Sequence, residues 1–464
     1  MSRLVVVSNR VTPITGSKAA TAGGLAVGVL SALRETGGIW FGWSGETTEA
    51  STPLPKVFKS GNITYVQIDL EQGEFDRYYG GFANRTLWPL FHYRLDLSSF
   101  ERDWYMTYRR VNQLFAEQLY PYLRDDDLIW VHDYHLIPLG EELRRLGVKA
   151  KIGFFLHIPF PSAEFYVALP WHEAVARALS AYDLIGFQTS NDLRNFHDYL
   201  YREGVGYALA DGLVNAFGRT LRAMDIPIGI DTDGFAQMAD SAEAVRSSQR
   251  LSRSLLGRSL IIGVDRLDYT KGITERLRAY EALLQSHPEH RGQVTFVQIS
   301  APSREDVPEY LEMRRQVEAT SGRVNGQFSE FDWMPIRYIN RSFTRRTLAG
   351  FFRLSRIGMV TPLRDGMNLV AKEYVAAQSE TDPGVLVLSR FAGAADDMDG
   401  AVIVNPFDVE GSAEALNLGL TMPLDERQDR WRRLLRQVRE HDITNWRRIF
   451  VDALKQDIPS EPAT

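Results

Sequence analysis

The sequence predicts an α/β fold made of two doubly wound parallel-sheet domains, and three observations lead to this prediction. The chain has 464 residues, which is more than one ordinary hydrophobic core serves. Short continuous apolar runs alternate with helix-length amphipathic segments over nearly the whole chain, a pattern typical of parallel strands covered by helices on both faces. Polar and glycine-containing motifs follow these runs, at the strand ends where open α/β sheets bind ligands.

Nine apolar runs are predicted as strands of the two sheets. They are Leu4–Ser8, Leu128–Val131, Ile152–Leu156, Leu184–Phe187, Leu260–Val264, Val294–Ile299, Ile357–Val360, Val385–Leu388 and Val402–Val404. The segment Ile226–Asp231 has polar flanks and is the predicted hinge between the domains. We therefore expect a Rossmann-like domain over residues 1–228, a second over residues 229–441, and a ligand-binding cleft across which they face each other.

Composition excludes several classes of function. The 53 basic and 59 acidic residues give a net charge of −6, which argues against a nucleic-acid-binding surface and favours local roles for the arginines. The absence of cysteine excludes disulfides, thiolate nucleophiles and cysteine-based zinc sites. No apolar run is long enough for a signal peptide or a membrane span, so we expect a cytoplasmic enzyme with small-molecule substrates and no membrane partner.

The most informative segment, Thr361–Glu373, continues the strand Ile357–Val360 and turns through Asp365 and Gly366 into a predicted helix, Asn368–Ala377. Helix starts bind anions, because their unpaired amides and the helix dipole favour negative charge. Glu373 lies one turn beyond Leu369 and can accept hydrogen bonds from vicinal hydroxyls. The segment suits a phosphate-and-ribose ligand or a nucleotide sugar. An ordinary βα turn with a charged cap is the alternative.

A second strand-to-helix loop, Gly263–Gly272, contains two cations, Arg266 and Lys271. Arginine supplies a directed fork of donors and lysine a point charge, so the pair suits a diphosphate. A simple turn would explain the Lys-Gly dipeptide alone. The buried strand before the loop and the predicted helix after it favour the diphosphate site.

The first strand ends in Ser8-Asn9-Arg10, and a cation at this position requires an anion or a carboxylate partner. Gly23 and Gly24 open the next predicted helix, Leu25–Arg34, and permit close backbone approach to a phosphate, although simple turn formation is the more common explanation of such a pair.

Three side chains follow a third strand: His132, Asp133 and His135. The His-x-x-His spacing raises the possibility of a metal, but no third ligand is evident, so structural histidines are the preferred interpretation. Asp133 is interpreted as a carboxylate that orients a hydroxyl. His157, at the end of a further strand, is equally compatible with a functional and a buried structural role.

Three Asp-x-Asp matches, Asp125–Asp127, Asp231–Asp233 and Asp397–Asp399, fit the pattern of metal-dependent sugar transferases. Each is more simply interpreted as a solvated turn. The sequence therefore predicts no essential metal and no cofactor.

Together these motifs resemble the trehalose-6-phosphate synthases, retaining glycosyltransferases of the two-domain GT-B class. The resemblance extends over nearly the whole chain and is carried by Ser8–Arg10, Leu87–Arg94, His132–His135, His157–Pro161, Arg266–Gly272, Arg364–Glu373, Asn405–Phe407 and Trp446. It implies transfer of glucose from a nucleoside diphosphate glucose to glucose 6-phosphate. It also implies that residues 442–464 form a helix that returns to the first domain, followed by a frayed tail.

The resemblance assigns roles by motif. It implies that the acceptor is held by Arg10, Tyr79, Asp133 and Arg304. It implies that the nucleotide sugar is held by Gly23, Gly24, Arg266, Lys271, Phe343, Asp365, Gly366, Met367, Asn368, Leu369, Val370 and Glu373. Trp88 and His157 would select the anomer, and the catalytic set would be Asp133, His157, Arg266, Lys271 and Asp365. Gly80 stands where relatives often carry Asn, so the loop with Tyr79 is expected to be more mobile.

No carboxylate is evident as a nucleophile on the far face of the sugar, so we expect front-face transfer in which the leaving diphosphate takes the acceptor's proton. Two alternatives remain open. One is a same-scaffold enzyme that couples a nucleotide-activated pseudo-sugar to another acceptor, and the other is a non-catalytic glucose-6-phosphate sensor. The donor base and a homo-oligomeric state cannot be read from the sequence.

Overall fold

The computed structural model describes residues 2–11, 28–30, 33–34, 36–49, 54–303 and 307–458. These residues fall into two compact units. Unit 1 contains the described residues up to Pro227 together with those from Thr444 onwards, and unit 2 contains Ile228–Ile443. Within the described residues, the chain passes between the units at 227/228 and at 443/444. The assignment of one unit to the acceptor and the other to the donor stays a prediction.

In the described part of unit 1, ten strands form one sheet in the order β3-β4-β2-β1-β5-β6-β7-β10-β9-β8. Their bounds are β1 Leu4–Arg10, β2 Gly38–Thr48, β3 Lys56–Ser60, β4 Ile63–Glu71, β5 Leu128–His132, β6 Lys151–Phe155, β7 Leu184–Phe187, β8 Gly206–Ala208, β9 Leu213–Ala216 and β10 Arg219–Asp225. The centre is parallel, with β1 between β2 and β5. Antiparallel pairs close both edges, so this sheet is not purely parallel as the sequence predicted.

The described part of unit 2 contains a six-stranded sheet in the order β13-β12-β11-β14-β15-β16, and every pair in it is parallel. The bounds are β11 Ser259–Arg266, β12 Val294–Ala301, β13 Ile336–Ile339, β14 Ile357–Val360, β15 Val385–Ser389 and β16 Val402–Val404. The two parallel-sheet domains confirm the predicted α/β, GT-B-type fold class.

Helices connect the strands. Their bounds are Gln72–Phe75, Asp76–Leu87, Trp88–Phe91, Arg102–Leu119, Leu139–Arg145, Ala163–Tyr166, His172–Leu179, Ser190–Arg202, Thr232–Ala239, Ala242–Leu255, Ile273–Ser286, Pro308–Phe328, Arg345–Leu354, Leu369–Ala377, Val409–Thr421, Leu424–Glu440 and Ile443–Lys455. Within the described residues, no helix is both long and apolar enough to cross a bilayer.

All nine predicted strands are present, and three of them keep the predicted bounds. Seven strands were missed: β2, β3, β4, β8, β9, β10 and β13. The buried central strands such as β5 are continuous apolar runs, whereas β3 is almost wholly exposed and β2 and β13 end in partly exposed residues. Each missed strand contains partly or fully exposed residues, so it lacks the continuous apolar signal of a strand buried on both faces.

The interpretation of Asp125–Asp127 as a solvated turn is wrong for Asp127. Its carboxylate is buried and accepts hydrogen bonds from Arg3 Nε at 2.9 Å and Arg3 Nη2 at 2.7 Å. It also accepts the Arg124 amide at 2.8 Å. A fully buried carboxylate requires this kind of pairing, so Asp127 fixes the entry to β5 rather than meeting solvent.

The segment predicted as a hinge is held tightly where it belongs to unit 2. Ile228 and Ile230 are each 3% exposed, and the Ile443 amide donates to the Ile230 carbonyl at 3.0 Å. A Cβ atom on Gly229 would lie 2.0 Å from the His441 carbonyl oxygen, so only glycine permits this close approach of the two backbone segments. The Lys372 ammonium donates to the Ile228 carbonyl at 2.8 Å.

Candidate active site

Arg10 ends β1 with its side chain exposed. Its guanidinium lies over the Trp43 ring at 5.7 Å and against Gly45, where a Cβ atom would approach Arg10 Nη2 to 2.6 Å. Ser8 fixes the backbone below it: Ser8 Oγ donates to the Arg10 carbonyl at 3.0 Å and accepts from Trp40 Nε1 at 2.9 Å. The strand end is thus rigid, while the cation remains accessible to an anion.

Tyr79 lies in the helix Asp76–Leu87, a twelve-residue π-helix, rather than in the loop that the sequence suggested. π-helical segments are rare and occur frequently at functional sites. The Tyr79 ring stacks between Phe75, at 5.3 Å, and His135, at 5.7 Å. A Cβ atom on Gly80 would meet nothing within 4 Å, so the position has space for an asparagine side chain.

Asp133 has a backbone φ of +76°, which is uncommon for a residue other than glycine and costs conformational energy. Its amide donates to the Phe155 carbonyl at 2.8 Å, and its carboxylate accepts the His157 amide at 3.2 Å. These bonds join the ends of the neighbouring strands β5 and β6. They bring two residues of the predicted site together.

His132 and His157 form a ring-to-ring hydrogen bond, Nδ1 to Nε2, at 3.0 Å. The rings of Trp446, on the helix Ile443–Lys455, and of Phe155 pack on His157 at 6.0 and 4.7 Å between centroids. Burial lowers the pKa of His157 to about 3, and burial followed by the neighbouring His157 lowers the pKa of His132 well below its usual value. Both rings are therefore neutral near pH 7.

The interpretation of His132 as structural fits this bond, since the ring uses Nδ1 to hold His157. His135 instead stacks between Tyr79 and Tyr134. Among the residues that the structure describes, no group of three His, Asp or Glu side chains is arranged to hold a metal ion. Trp88 is 5% exposed, with its ring 4.2 Å from His92 and 5.8 Å from Tyr134.

In unit 2, the structure brings the two strand-to-helix loops together. Lys271 Nζ lies 2.5 Å from Asp365 Oδ2, and Asn368 Nδ2 donates to the same oxygen at 3.0 Å. The lysine and aspartate side chains are 11% and 14% exposed. The Leu363 amide donates to the Thr270 carbonyl at 2.7 Å, which fastens one loop to the other.

A buried arginine that the sequence did not single out supports this pair. Arg276 is 1% exposed and donates to Asp265 at 2.6 Å, to Gln298 at 3.0 Å and to Thr361 at 3.1 Å. Its Nη2 atom also donates to the Lys271 carbonyl at 3.2 Å. The network lies beneath the loop and holds the backbone from which Lys271 projects. No local pattern distinguishes Arg276, because it is one of two arginines on an amphipathic helix.

The helix Leu369–Ala377 starts after Asn368, which has a φ of +73° and makes no side-chain cap. The turn before it is tied to the next loop, with the Asp365 amide donating to Phe391 and the Ala394 amide donating to Met367 at 2.8 Å. Gly366 and Met367 are buried, and Leu369 and Val370 are half-buried. The predicted order of strand, turn and helix is therefore present at this position.

Glu373 projects from the second turn of that helix and is paired with Arg345, whose Nη2 donates to Glu373 Oε1 at 2.9 Å. Their side chains are 14% and 15% exposed. Burial raises the pKa of Glu373, and the Arg345 charge opposes that rise.

The remaining predicted donor residues lie at half-exposed positions. Arg266 is 51% exposed, with Nη2 4.0 Å from the buried Asp268 carboxylate. Phe343 is half-buried, with Arg341 stacked 4.5 Å above its ring. Three predicted site residues, Gly23, Gly24 and Arg304, lie outside the described residues.

Comparison with known proteins places these motifs in a family. Glycosyltransferase family 20 matches residues 2–456. A trehalose-6-phosphate synthase of Sinorhizobium fredii is 52% identical over 456 residues, which are 98% of each chain. The trehalose-6-phosphate synthase of Escherichia coli K12 is 49% identical over 459 residues, covering 99% of this chain and 96% of that one.

Two solved structures are similar over nearly their full length. One is an α,α-trehalose-phosphate synthase (UDP-forming) from Burkholderia xenovorans in complex with glucose-6-phosphate, with a TM-score of 0.94 and 52% identity over 98% of this chain and 100% of that one. The other is the Escherichia coli protein bound with UDP-2-fluoro glucose, with a TM-score of 0.94 and 47% identity over 99% of this chain and 100% of that one.

Proposed function

The chain belongs to glycosyltransferase family 20, and we infer from this membership that it is an α,α-trehalose-phosphate synthase. It transfers glucose from UDP-glucose to glucose 6-phosphate with retention and yields α,α-trehalose 6-phosphate. The observation that carries this function is full-length identity of about half to proteins of that name, one solved with glucose-6-phosphate and one with a UDP-sugar analogue.

On the acceptor side, we propose that Arg10 binds the 6-phosphate, with Tyr79 and Asp133 orienting the sugar. The exposed guanidinium on a rigid strand end supports the first role. The strained backbone of Asp133 supports the second, because strain of this kind is retained where a side chain must point at a ligand. Trp88 and His157 are proposed to shape the pocket at the reacting carbon. Arg304 stays a predicted acceptor residue.

On the donor side, Arg266, Lys271 and the start of the helix Leu369–Ala377 are proposed to bind the diphosphate. Lys271 must then exchange part of its contact with Asp365 for phosphate oxygens, which leaves Asp365 to accept hydroxyls of the transferred glucose. Glu373 is proposed to accept the ribose hydroxyls. Phe343 and the backbone at Gly366–Val370 would line the nucleotide, and Gly23 and Gly24 stay predicted contacts.

The proposed chemistry is front-face transfer. The bond from the anomeric carbon to the diphosphate oxygen breaks, the acceptor's anomeric hydroxyl oxygen attacks from the same face, and its proton passes to the leaving diphosphate. Charge develops on the diphosphate as the bond breaks, so Arg266 and Lys271 stabilise the transition state more than the ground state. The neutral His157 is not a proton donor of the imidazolium type at pH 7.

We propose that the enzyme acts in the cytoplasm, because both substrates are phosphorylated and do not cross membranes unaided. The net charge of −6 supports small-molecule substrates rather than nucleic acid. Formation of a homo-oligomer stays open.

Incubation of the pure protein with glucose 6-phosphate and each nucleoside diphosphate glucose, followed by product mass analysis, tests the function. Trehalose 6-phosphate formed with release of UDP is the expected result. A product of different mass with another acceptor would identify a pseudo-glycosyltransferase instead. Binding of glucose 6-phosphate without turnover would identify a sensor.

A further inference from the structure

Arg345 occupies a position that electrostatics alone disfavours. It is the first residue of the helix Arg345–Leu354, after the N-cap Thr344. The positive end of the helix dipole repels a cation there, and burial of the guanidinium to 15% exposure removes most of its hydration. A specific partner must offset this unfavourable electrostatic and desolvation energy. That partner is the Glu373 carboxylate, whose Oε1 lies 2.9 Å from Arg345 Nη2.

The guanidinium is also held from its other side. Phe235, on the helix Thr232–Ala239, is 1% exposed, and Arg345 Cζ lies 5.2 Å from its ring centroid. Stacking on an aromatic face fixes the plane of the fork and so the direction of its N–H bonds. Among the described residues, the hydrogen bond made by Arg345 reaches Oε1 of Glu373 and leaves Oε2 for a ligand.

Arg345 also affects the charge state of the Glu373 carboxylate. Burial raises its pKa, and among the charged groups on the helices and strands packed around it in the described structure, Arg345 is the one that acts to lower it. Lys372, the preceding residue, donates instead to the Ile228 carbonyl. A protonated carboxyl would offer the ribose diol a weaker acceptor, since charge-assisted hydrogen bonds are about twice as strong as neutral ones.

We propose that Arg345 is a positioning residue for nucleotide recognition: it holds the Glu373 carboxylate ionised and fixes its orientation, so that Oε2 accepts the hydroxyls of the donor's ribose. This inference rests on the proposed function, because it takes Glu373 as the ribose contact. Arg345 itself touches neither the sugar nor the reacting atoms, and its effect passes through Glu373.

The test compares two probes, UDP and 2′,3′-dideoxy-UDP, by calorimetry on four proteins: wild type, Arg345→Gln, Arg345→Lys and the control Arg346→Gln. Arg346 is the next residue on the same helix and is exposed, so it matches the charge change without the contact. Wild type should bind UDP roughly ten- to a hundredfold more tightly than the dideoxy compound. Arg345→Gln should lose most of that preference while its affinity for the dideoxy compound stays within about twofold.

Arg345→Lys should keep part of the preference for UDP over the dideoxy compound, and Arg346→Gln should keep all of it. The remaining preference of Arg345→Gln should grow as the pH is raised, because burial raises the pKa of Glu373 and a higher pH removes its proton. An equal loss of affinity for both probes would show that Arg345 is merely structural, and an unchanged preference would show that it has no role; either outcome overturns the inference. A wild type that binds both probes equally would instead refute Glu373 as the ribose contact. A wild type that binds neither would refute the proposed function.

If Arg345→Gln does not fold, Glu373→Gln provides the second comparison. It should abolish the preference for UDP, and Arg345→Lys combined with it should leave the UDP affinity equal to that of Glu373→Gln alone. A weaker UDP affinity in the double variant would mean that Arg345 acts through some other group, against the inference.

Discussion

The ammonium of Lys271 and the carboxylate of Asp365 form an ion pair at 2.5 Å, although 94 residues separate them in sequence. Both side chains project from loops that follow neighbouring parallel strands, β11 and β14. The proposed function assigns one to the diphosphate and the other to the glucose. Their contact means that diphosphate and carboxylate compete for one ammonium.

That competition predicts opposite effects of Asp365→Asn on binding and on turnover. Removal of the carboxylate charge frees Lys271 for phosphate oxygens, so UDP should bind several-fold more tightly. Turnover should fall by about a hundredfold, because the glucose loses a charged acceptor that orients it. Calorimetry with UDP and steady-state rates measure the two effects. Asp399→Asn, an equal charge change at an exposed position, is the control. Weaker UDP binding in Asp365→Asn would contradict the competition.

The proposed division of the site predicts different kinetics for two arginines. Arg10→Ala should raise the KM for glucose 6-phosphate roughly ten- to a hundredfold and reduce the preference over glucose, while UDP affinity stays near normal. Arg266→Ala should lower kcat at saturating acceptor and also weaken UDP binding, because its contact strengthens as the bond breaks. Arg202→Ala, at an exposed helix end, should change neither. Equal damage to UDP affinity by the first two substitutions would refute the division.

The buried Lys372 predicts a rise in stability at alkaline pH. Burial lowers its pKa from 10.5 to about 8. Between these values the unfolded chain binds more protons than the folded one, so the free energy of unfolding increases with pH, by about 3 kcal/mol from this group. Lys372→Met should abolish this increase in the free energy of unfolding, measured by denaturant titration from pH 7.5 to 10.5. Lys149→Met, at an exposed position, should retain it. An unchanged alkaline slope in the Lys372 variant would show that the ammonium is not desolvated.

The histidine pair predicts a loss of stability in acid. The folded pKa of His157 is about 3 and that of His132 is also lowered, so both rings resist a proton that the unfolded chain accepts near pH 6.5. Stability should therefore fall as the pH decreases from 6.5 towards 3. His132→Phe should reduce this slope by about 1.4 kcal/mol per pH unit and should lower kcat as His157 loses its hydrogen bond.

His287 offers a contrast to that pair. Its hydrogen bond to Glu414 raises its pKa, so it contributes stability at low pH that is lost as the pH rises. His287→Gln should remove this contribution, which is complete below pH 6.5, and should leave the slope of the decline in more acidic solution unchanged. Equal slopes for wild type and His132→Phe would show that His132 accepts a proton in the folded state.

The prediction that the enzyme requires no metal ion can be tested directly. Turnover should persist in an excess of chelator, because Arg266, Lys271 and helix amides are proposed to neutralise the diphosphate in place of a cation. Complete loss of activity that a single divalent ion restores would contradict this prediction. Rates before and after exhaustive dialysis against chelator provide the measurement.

The sequence by itself determined the central sheets and the residues at their carboxyl ends. β5, β7, β14 and the other buried strands are continuous apolar runs, a signal that needs no knowledge of neighbours. Arg10, Asp133, Arg266, Lys271 and Glu373 were singled out as candidates because each lies in a recognisable motif that follows such a run, and their roles stay predictions. The strands that were missed contain partly or fully exposed residues, and partial burial leaves no continuous apolar pattern.

Only the tertiary structure decided which of these side chains touch. The pairs Lys271–Asp365, Arg345–Glu373 and His132–His157 join segments that are 94, 28 and 25 residues apart. The buried network of Arg276 likewise joins two strands and two loops. Local sequence specifies strand and helix through periodic burial, but the register of distant strands fixes how charges at their ends meet. Packing therefore decides which side chains pair and so sets the charge and orientation of each candidate site residue. No short-range sequence pattern encodes these pairings.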